Sequence, residues 1–185
     1  MKYLVGFLFG LVALYAGSAI AQDELKPGLI GEFYSMPDAV EDYPTIAADK
    51  KPTLRRVDKT IDVNCGGDAW PGTSLDEQFY IRWTGVIKIA KDGKYKLYTE
   101  SDDGSRVFID GKQVVDNGGL HAMEEKEGEV ELKAGNHDIK VEFFENGGEA
   151  GCKLSWSGEG VEKQIIPASA LFHKKDKDLD KEDVK

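Results

Sequence analysis

Beyond residue 21, no stretch of this chain repeats its apolar positions at helical spacing, which argues against helical bundles and alternating α/β folds. Positive charge is in deficit: 24 Lys and Arg face 34 Asp and Glu, for a net charge of −10. Such a surface repels polyanions, so nucleic acid and anionic membranes drop out as partners, and neutral polar ligands and cations remain. Histidine and cysteine are scarce, three and two in 185 residues. Neither His121 nor His137 has a cysteine or a second histidine at metal-ligand spacing, which leaves a zinc site unsupported. A Gly-x-Ser-x-Gly elbow, an activated-cysteine signature and a phosphate-binding glycine loop are all missing. Asp103 and Asp116 are one of many carboxylate pairs an acidic chain offers, and nothing singles them out as facing across a cleft. No catalytic residue is assigned, and the chain reads as a non-enzyme.

One long apolar run is present, Tyr3 to Tyr15, preceded by Lys2 and followed by Ala19-Ile20-Ala21. It falls short of the ~20 residues of a membrane span. Its basic start and small-x-small end are those of a cleaved export signal over residues 1–21. The expectation is therefore no membrane span and a secreted, periplasmic or cell-surface location. The remaining length suits one domain with one core, residues 22–172. In an exported chain, Cys65 and Cys152 fit either a disulfide across a long loop or two separately buried thiols. Cys152 alternates with Leu154 and Trp156, as a residue on an apolar strand face does.

Period-two alternation dominates the rest. Ile139, Val141 and Phe143 share one face of a strand whose other face carries Asp138, Lys140 and Glu142. Phe79, Ile81 and Trp83 alternate against Tyr80 and Arg82, and Val107 and Ile109 against Arg106 and Phe108. Asp92-Gly93 and Asp110-Gly111 each separate two such runs and predict tight primed hairpin turns. Ala134-Gly135-Asn136 and Asn146-Gly147-Gly148 mark further connections. Many short strands with regular turns imply an all-β sandwich or barrel. Pro37 to Lys51 and Asp62 to Ser74, rich in Pro, Gly and Asp, read as long surface loops able to rim a site. Residues 173–185 are nearly all Lys and Asp and read as a charged, disordered tail. Asp176, Asp178 and Asp180 have the start of a calcium-loop spacing without its glycine or final glutamate.

The stretch with the most chemistry is Ser101-Asp102-Asp103-Gly104-Ser105, between two predicted strands. Neighbouring residues of a strand point to opposite faces, so the two carboxylates converge on one ion only if the backbone between them is sharply bent or cis. Converging, they suit calcium, whose six to eight oxygen positions leave room for a ligand's hydroxyls. Diverging, they are ordinary turn aspartates with Gly104 in a left-handed conformation.

The order of blocks carries a resemblance. Gly28-Leu29-Ile30-Gly31-Glu32-Phe33-Tyr34, Phe79-Tyr80-Ile81-Arg82-Trp83-Thr84-Gly85 and Gly93-Lys94-Tyr95 come first. Ser101 to Gly111, Val114 to Asn117 with His121, Leu132 to Gly135, and Leu154-Ser155-Trp156 follow. In that sequence they resemble the PA-fourteen domain family, the lectin-like β-sandwich named after anthrax protective antigen. The likeness runs from about Gly28 to Phe172. It implies a two-sheet antiparallel β-sandwich that binds carbohydrate or serves adhesion. It also implies a calcium ion on two consecutive aspartates joined by a cis peptide, here Asp102 and Asp103, with an asparagine of a later loop, here Asn146, as a further ligand.

Trp70, in the loop Asp68-Ala69-Trp70-Pro71-Gly72, fits either an exposed platform for a sugar ring or burial beneath its own loop. The resulting expectation is a secreted, calcium-dependent carbohydrate-binding or adhesion module. Its metal would sit on Asp102, Asp103 and Asn146, its ligand against Asp102, Asp103 and Trp70, and its partner would be a glycan. The alternative is a structural or protein-interaction domain of the cell envelope, with another envelope protein as partner and no sugar site.

Overall fold

A computed structural model describes residues 24–180. The expected export signal and residues 181–185 lie outside the described residues. The strands run in the order β1 (Leu25–Pro27), β2 (Leu29–Ser35), β3 (Leu54–Asp58), β4 (Asp62–Gly66), β5 (Phe79–Ile89), β6 (Gly93–Asp102) and β7 (Ser105–Ile109). There follow β8 (Lys112–Asn117), β9 (Glu124–Leu132), β10 (Gly135–Glu145), β11 (Ala150–Gly158), β12 (Val161–Ile165) and β13 (Leu171–Lys174). They form two antiparallel sheets. The first is ordered β1-β13-β5-β10-β7-β8, with β2 on the β13 side of β5 and β3 outside β2. The second is ordered β12-β11-β6-β9, with β4 beside the first half of β11.

Alternation explains the packing. Phe79, Ile81 and Trp83 of β5 and Ile139, Val141 and Phe143 of β10 face the second sheet's Leu97, Cys152 and Leu154, and all are buried. In a half-buried sheet the odd-phase residues would be wet, yet Tyr80 and Phe144 on the opposite face are only 1% and 0% exposed. The segment between β2 and β3 folds over them, and Val40 and Tyr34 complete a second small apolar cluster there. The central strands of the first sheet are therefore buried on both faces, and this cover is what the long Pro37 to Lys51 segment provides.

Several expectations change. Asp110-Gly111 does form a primed hairpin turn, with φ of 49° and 79°, and it joins β7 to β8, whose pairing shifts by a bulge between Val107 and Phe108. Asp92-Gly93 does not, because β5 and β6 lie in different sheets. Asp92 instead accepts hydrogen bonds from the Ala134 amide (2.8 Å) and Lys133 Nζ (3.0 Å), tying two connections at one end of the sandwich. Asp62 to Ser74 is not all loop: its first five residues are β4, paired with β11. Cys65 and Cys152 are free, the first with Sγ 3.1 Å from the Ala150 carbonyl oxygen and the second wholly buried.

The tail is ordered as far as it is described. His173 is 1% exposed, with Nε2 3.2 Å from both Asp180 carboxylate oxygens. Asp176 pairs with Arg55 of β3 at 2.8 Å and accepts the Asp178 and Leu179 amides in a local turn. Composition suggested disorder because the anchoring partners, Arg55 and the Gly28 carbonyl that meets His173 Nδ1, are distant in sequence.

The outward face of the second sheet is a ladder of ion pairs, Lys94 with Glu129, Lys96 with Glu127 and Lys163 with Glu125 exposed and Lys153 with Glu100 half-buried. On one side the two sheets meet closely, where a Cβ added to Gly128 of β9 would fall 1.7 Å from the Val114 carbonyl oxygen of β8. Gly128→Ala must push these strands apart and is expected to destabilise the domain by about 3 kcal/mol. Urea unfolding checks this, and a variant as stable as wild type would show that the strands do not approach so closely.

Candidate metal centre

The loop end of the sandwich is assembled from the turn between β6 and β7, the connection between β8 and β9, and the end of β10. β6 delivers Asp102 and the turn delivers Asp103, with a cis peptide bond between them. β10 delivers Glu145, which is in phase with the core-facing Ile139, Val141 and Phe143 and so points into the sandwich. Ligand oxygens of Asp102, Asp103 and Glu145 all lie within 4.8 Å of one another. The three residues are 8%, 5% and 0% exposed.

Backbone amides hold the carboxylates. Asp103 Oδ1 accepts the His121 amide and Oδ2 accepts the Asn146 amide, each at 3.0 Å. Glu145 Oε2 accepts the Asp103 amide at 3.1 Å, and the Gly147 amide also serves Glu145. Asp102 accepts the Met123 amide. Glu145 Oε1 is buried with no hydrogen-bond partner. Among the described residues no cationic side chain is paired with any of the three.

Beneath them, Asn117 Nδ2 donates to Ser101 Oγ (3.1 Å) and to the Glu124 carbonyl (2.9 Å), and Ser101 Oγ meets Ser105 Oγ at 2.6 Å. These bonds tie the Gly118 to Met123 loop to the turn it serves. Gly104 is needed for proximity, since a Cβ there would fall 2.3 Å from the Phe144 ring.

Electrostatics follow from burial and like charge. Burial first, then the Asp103 and Asp102 charges, push Glu145 up to about 8. Burial, then the neighbouring Asp103, also raises Asp102. Three hard oxygen donors with no paired cation among the described residues fit a divalent oxygen-seeking cation, and the unpartnered Glu145 oxygen is an acceptor that such an ion would satisfy.

The expected residues are distributed unevenly. Asp102 and Asp103 meet as the resemblance implied. Asn146 touches the cluster through its main-chain amide, whereas its side-chain Oδ1 accepts the Val40 amide at 3.1 Å. Trp70 is no sugar platform: it is 1% exposed and packs among Phe79, Phe143 and Trp83 at 5.1 to 6.1 Å. Glu145 was not anticipated, although an acidic residue in step with three core positions was a legible signal.

A two-sheet β-sandwich with a buried acidic cluster among the loops of one end defines a lectin-like module. The family model for the PA14 domain matches residues 25–170, and the chain belongs to that family. It is 32% identical over 147 residues to the anti-sigma-I factor RsgI3 of Acetivibrio thermocellus, covering 78% of this chain and 21% of the relative. A solved anti-sigma factor domain-containing protein from Clostridium clariflavum is 31% identical with a TM-score of 0.69, covering 82% of this chain and 48% of the other. The chain thus spans about a fifth and about half of those two proteins. The solved PA14 sugar-binding domain from an RTX adhesin has the same fold at 19% identity and a TM-score of 0.69, covering 80% of this chain and 98% of the other.

A raised carboxyl makes the native state hold a proton that the unfolded chain has already released. Stability without metal therefore falls as pH rises from the ordinary carboxylate range to about 8, by up to ~1.4 kcal/mol per pH unit. Glu145→Gln removes that charge, so in chelator it is expected to lose part of the decline and to exceed wild type above about pH 8. Urea titrations across pH test this; parallel curves for the two proteins would refute it.

Proposed function

We propose that this PA14 domain is a non-catalytic carbohydrate-binding module that acts outside the cytoplasm and contacts sugar through calcium held by Asp102, Asp103 and Glu145. The carrying observation is the unbalanced charge: three buried carboxylates, one oxygen of which meets no donor. Charges are buried at tolerable cost only when paired or bound to metal. An all-oxygen set favours calcium over zinc, which prefers nitrogen and sulfur. The amides of His121, Asn146, Met123 and Gly147 keep the carboxylates aimed at a common point. Bound calcium supplies positive charge and open coordination positions that suit paired sugar hydroxyls.

The RTX-adhesin domain, described as sugar-binding, supports the same ligand class for this chain. The non-catalytic reading is supported by the backbone amides that hold Asp103 and one oxygen of Glu145 as acceptors turned toward one point. Likeness to an anti-sigma-I factor favours a second reading, a protein-contact domain of the envelope without a sugar site.

Calcium at a hundredfold excess over its dissociation constant is expected to stabilise wild type by ~2.7 kcal/mol, and the Asp102→Ala/Asp103→Ala variant not at all. Thermal melts measure this, and a glycan array run with calcium and with chelator identifies sugars whose retention needs the metal. Equal melts for the two proteins would sink the metal-dependent reading. Calcium stabilisation with an empty array would transfer preference to the protein-contact domain.

A further inference from the structure

Asn146 links more segments than any ordinary loop residue. Its amide donates to Asp103 Oδ2 at 3.0 Å, its carbonyl accepts the Gln78 amide at 3.3 Å, and its side-chain Oδ1 accepts the Val40 amide at 3.1 Å. Val40 is 4% exposed and stands at the start of the cover that lies over the first sheet. Three residues on, the Tyr43 ring packs edge-on against Phe144 at 5.1 Å and beneath the Arg106 guanidinium at 3.8 Å. Tyr43, Arg106, Asp116 and Gly118 are among the lining of a cavity of about 620 Å³ between this cover and the β7–β8 hairpin.

Both walls of that cavity lead to one carboxylate. The Gly118-Gly119 wall continues to His121, whose amide donates to Asp103 Oδ1. The opposite wall, Glu41 to Tyr43, is tied through Val40 and Asn146 to Asp103 Oδ2. A cation drawing Asp103 toward Asp102 and Glu145 therefore acts on both walls at once.

We propose that the Asn146 side chain is a positioning strut, and not a cation ligand, that couples occupancy of the carboxylate cluster to the Pro37 to Lys51 cover and so to the shape of the adjoining cavity. The inference rests on the calcium reading above and assigns its third carboxylate to Glu145. Among the described residues, the strut uses the one hydrogen bond that joins the cover to the metal loops through a side chain, and that oxygen is turned to Val40. The cavity is rich in hydroxyl-accepting groups, with Glu41, Asp42 and Asp116 against one guanidinium. It suits an uncharged polyhydroxylated ligand and repels a uronate.

Calcium alone is the probe. In wild type it is expected to slow amide hydrogen exchange over residues 38–46 about tenfold. Asn146→Ala is expected to keep its calcium affinity within about threefold of wild type while losing this protection, since one hydrogen bond of ordinary strength has gone. Asn146→Asp retains an acceptor oxygen and is expected to restore protection, which separates the strut from a general loss of fold. Asp103→Ala serves as the control that loses the metal. If Asn146→Ala loses calcium as fully as Asp103→Ala, Asn146 is a ligand and the proposal fails. If wild type binds calcium with exchange over residues 38–46 unchanged, cluster and cover are independent and it also fails. No calcium binding by wild type overturns the metal reading itself, and the strut with it.

Discussion

Three carboxylates buried together, with no cationic side chain paired to them among the described residues, cannot all carry charge cheaply, and this constraint organises the loop end of the domain. Amides from three separate connections converge on them, and each amide fixes the path of its own loop: His121 and Met123 between β8 and β9, Asn146 and Gly147 after β10, and Asp103 at its own turn. The serine and asparagine side chains below them keep that end of the interior polar where the rest is aromatic and aliphatic. The scaffold meets the same constraint from the other side. β6 and β10 belong to different sheets, so only a sandwich whose sheets are held at a fixed separation brings Asp102 and Glu145 to one point.

How much of this the chain disclosed depends on the range of the interaction concerned. Alternation in β5, β7 and β10 is local, and it identified the core faces correctly. The Asp110-Gly111 turn is local as well. Asp92-Gly93 has the same two residues and a different fate, because a dipeptide cannot say whether the next strand stays in its sheet or crosses to the other. Trp70 and the His173 to Asp180 segment failed for a related reason. Each is held by residues far away in sequence, Phe143 for the first and Arg55 and Gly28 for the second. Ordered blocks of sequence carried the fold and the convergence of Asp102 with Asp103. They brought Asn146 to the cluster, where its amide meets Asp103 and its side chain meets Val40, and did not single out Glu145 beside it.

The double burial of the first sheet distinguishes the two faces of the molecule. Tyr80 and Phe144 sit on what would be the wet side of β5 and β10, and a long connecting segment covers them. Beneath that cover, Glu142 is bonded by Tyr80 (2.6 Å) and Arg106 (2.6 Å), which outweigh burial and lower its proton affinity. These contacts join β5, β7 and β10 beneath the cover, which meets Arg106 through the Tyr43 ring at 3.8 Å. Among the described residues the second sheet has no such cover, and its outer ladder of ion pairs contributes little to stability, each solvent-facing pair being worth about 0–1 kcal/mol.

That ladder matters for a different reason. β9 pairs with β6 on one side and lies against β8 of the other sheet at Gly128, and its outward residues are glutamates that alternate with Val130, Gly128 and Lys126. Unpaired strand edges recruit matching edges from other molecules, and charge along the edge opposes that docking. The same glutamates that add little to folding set a row of like charge along β9, a pattern that opposes docking of another strand. Their effect would be felt as colloidal behaviour at high concentration or high salt, where screening weakens the repulsion.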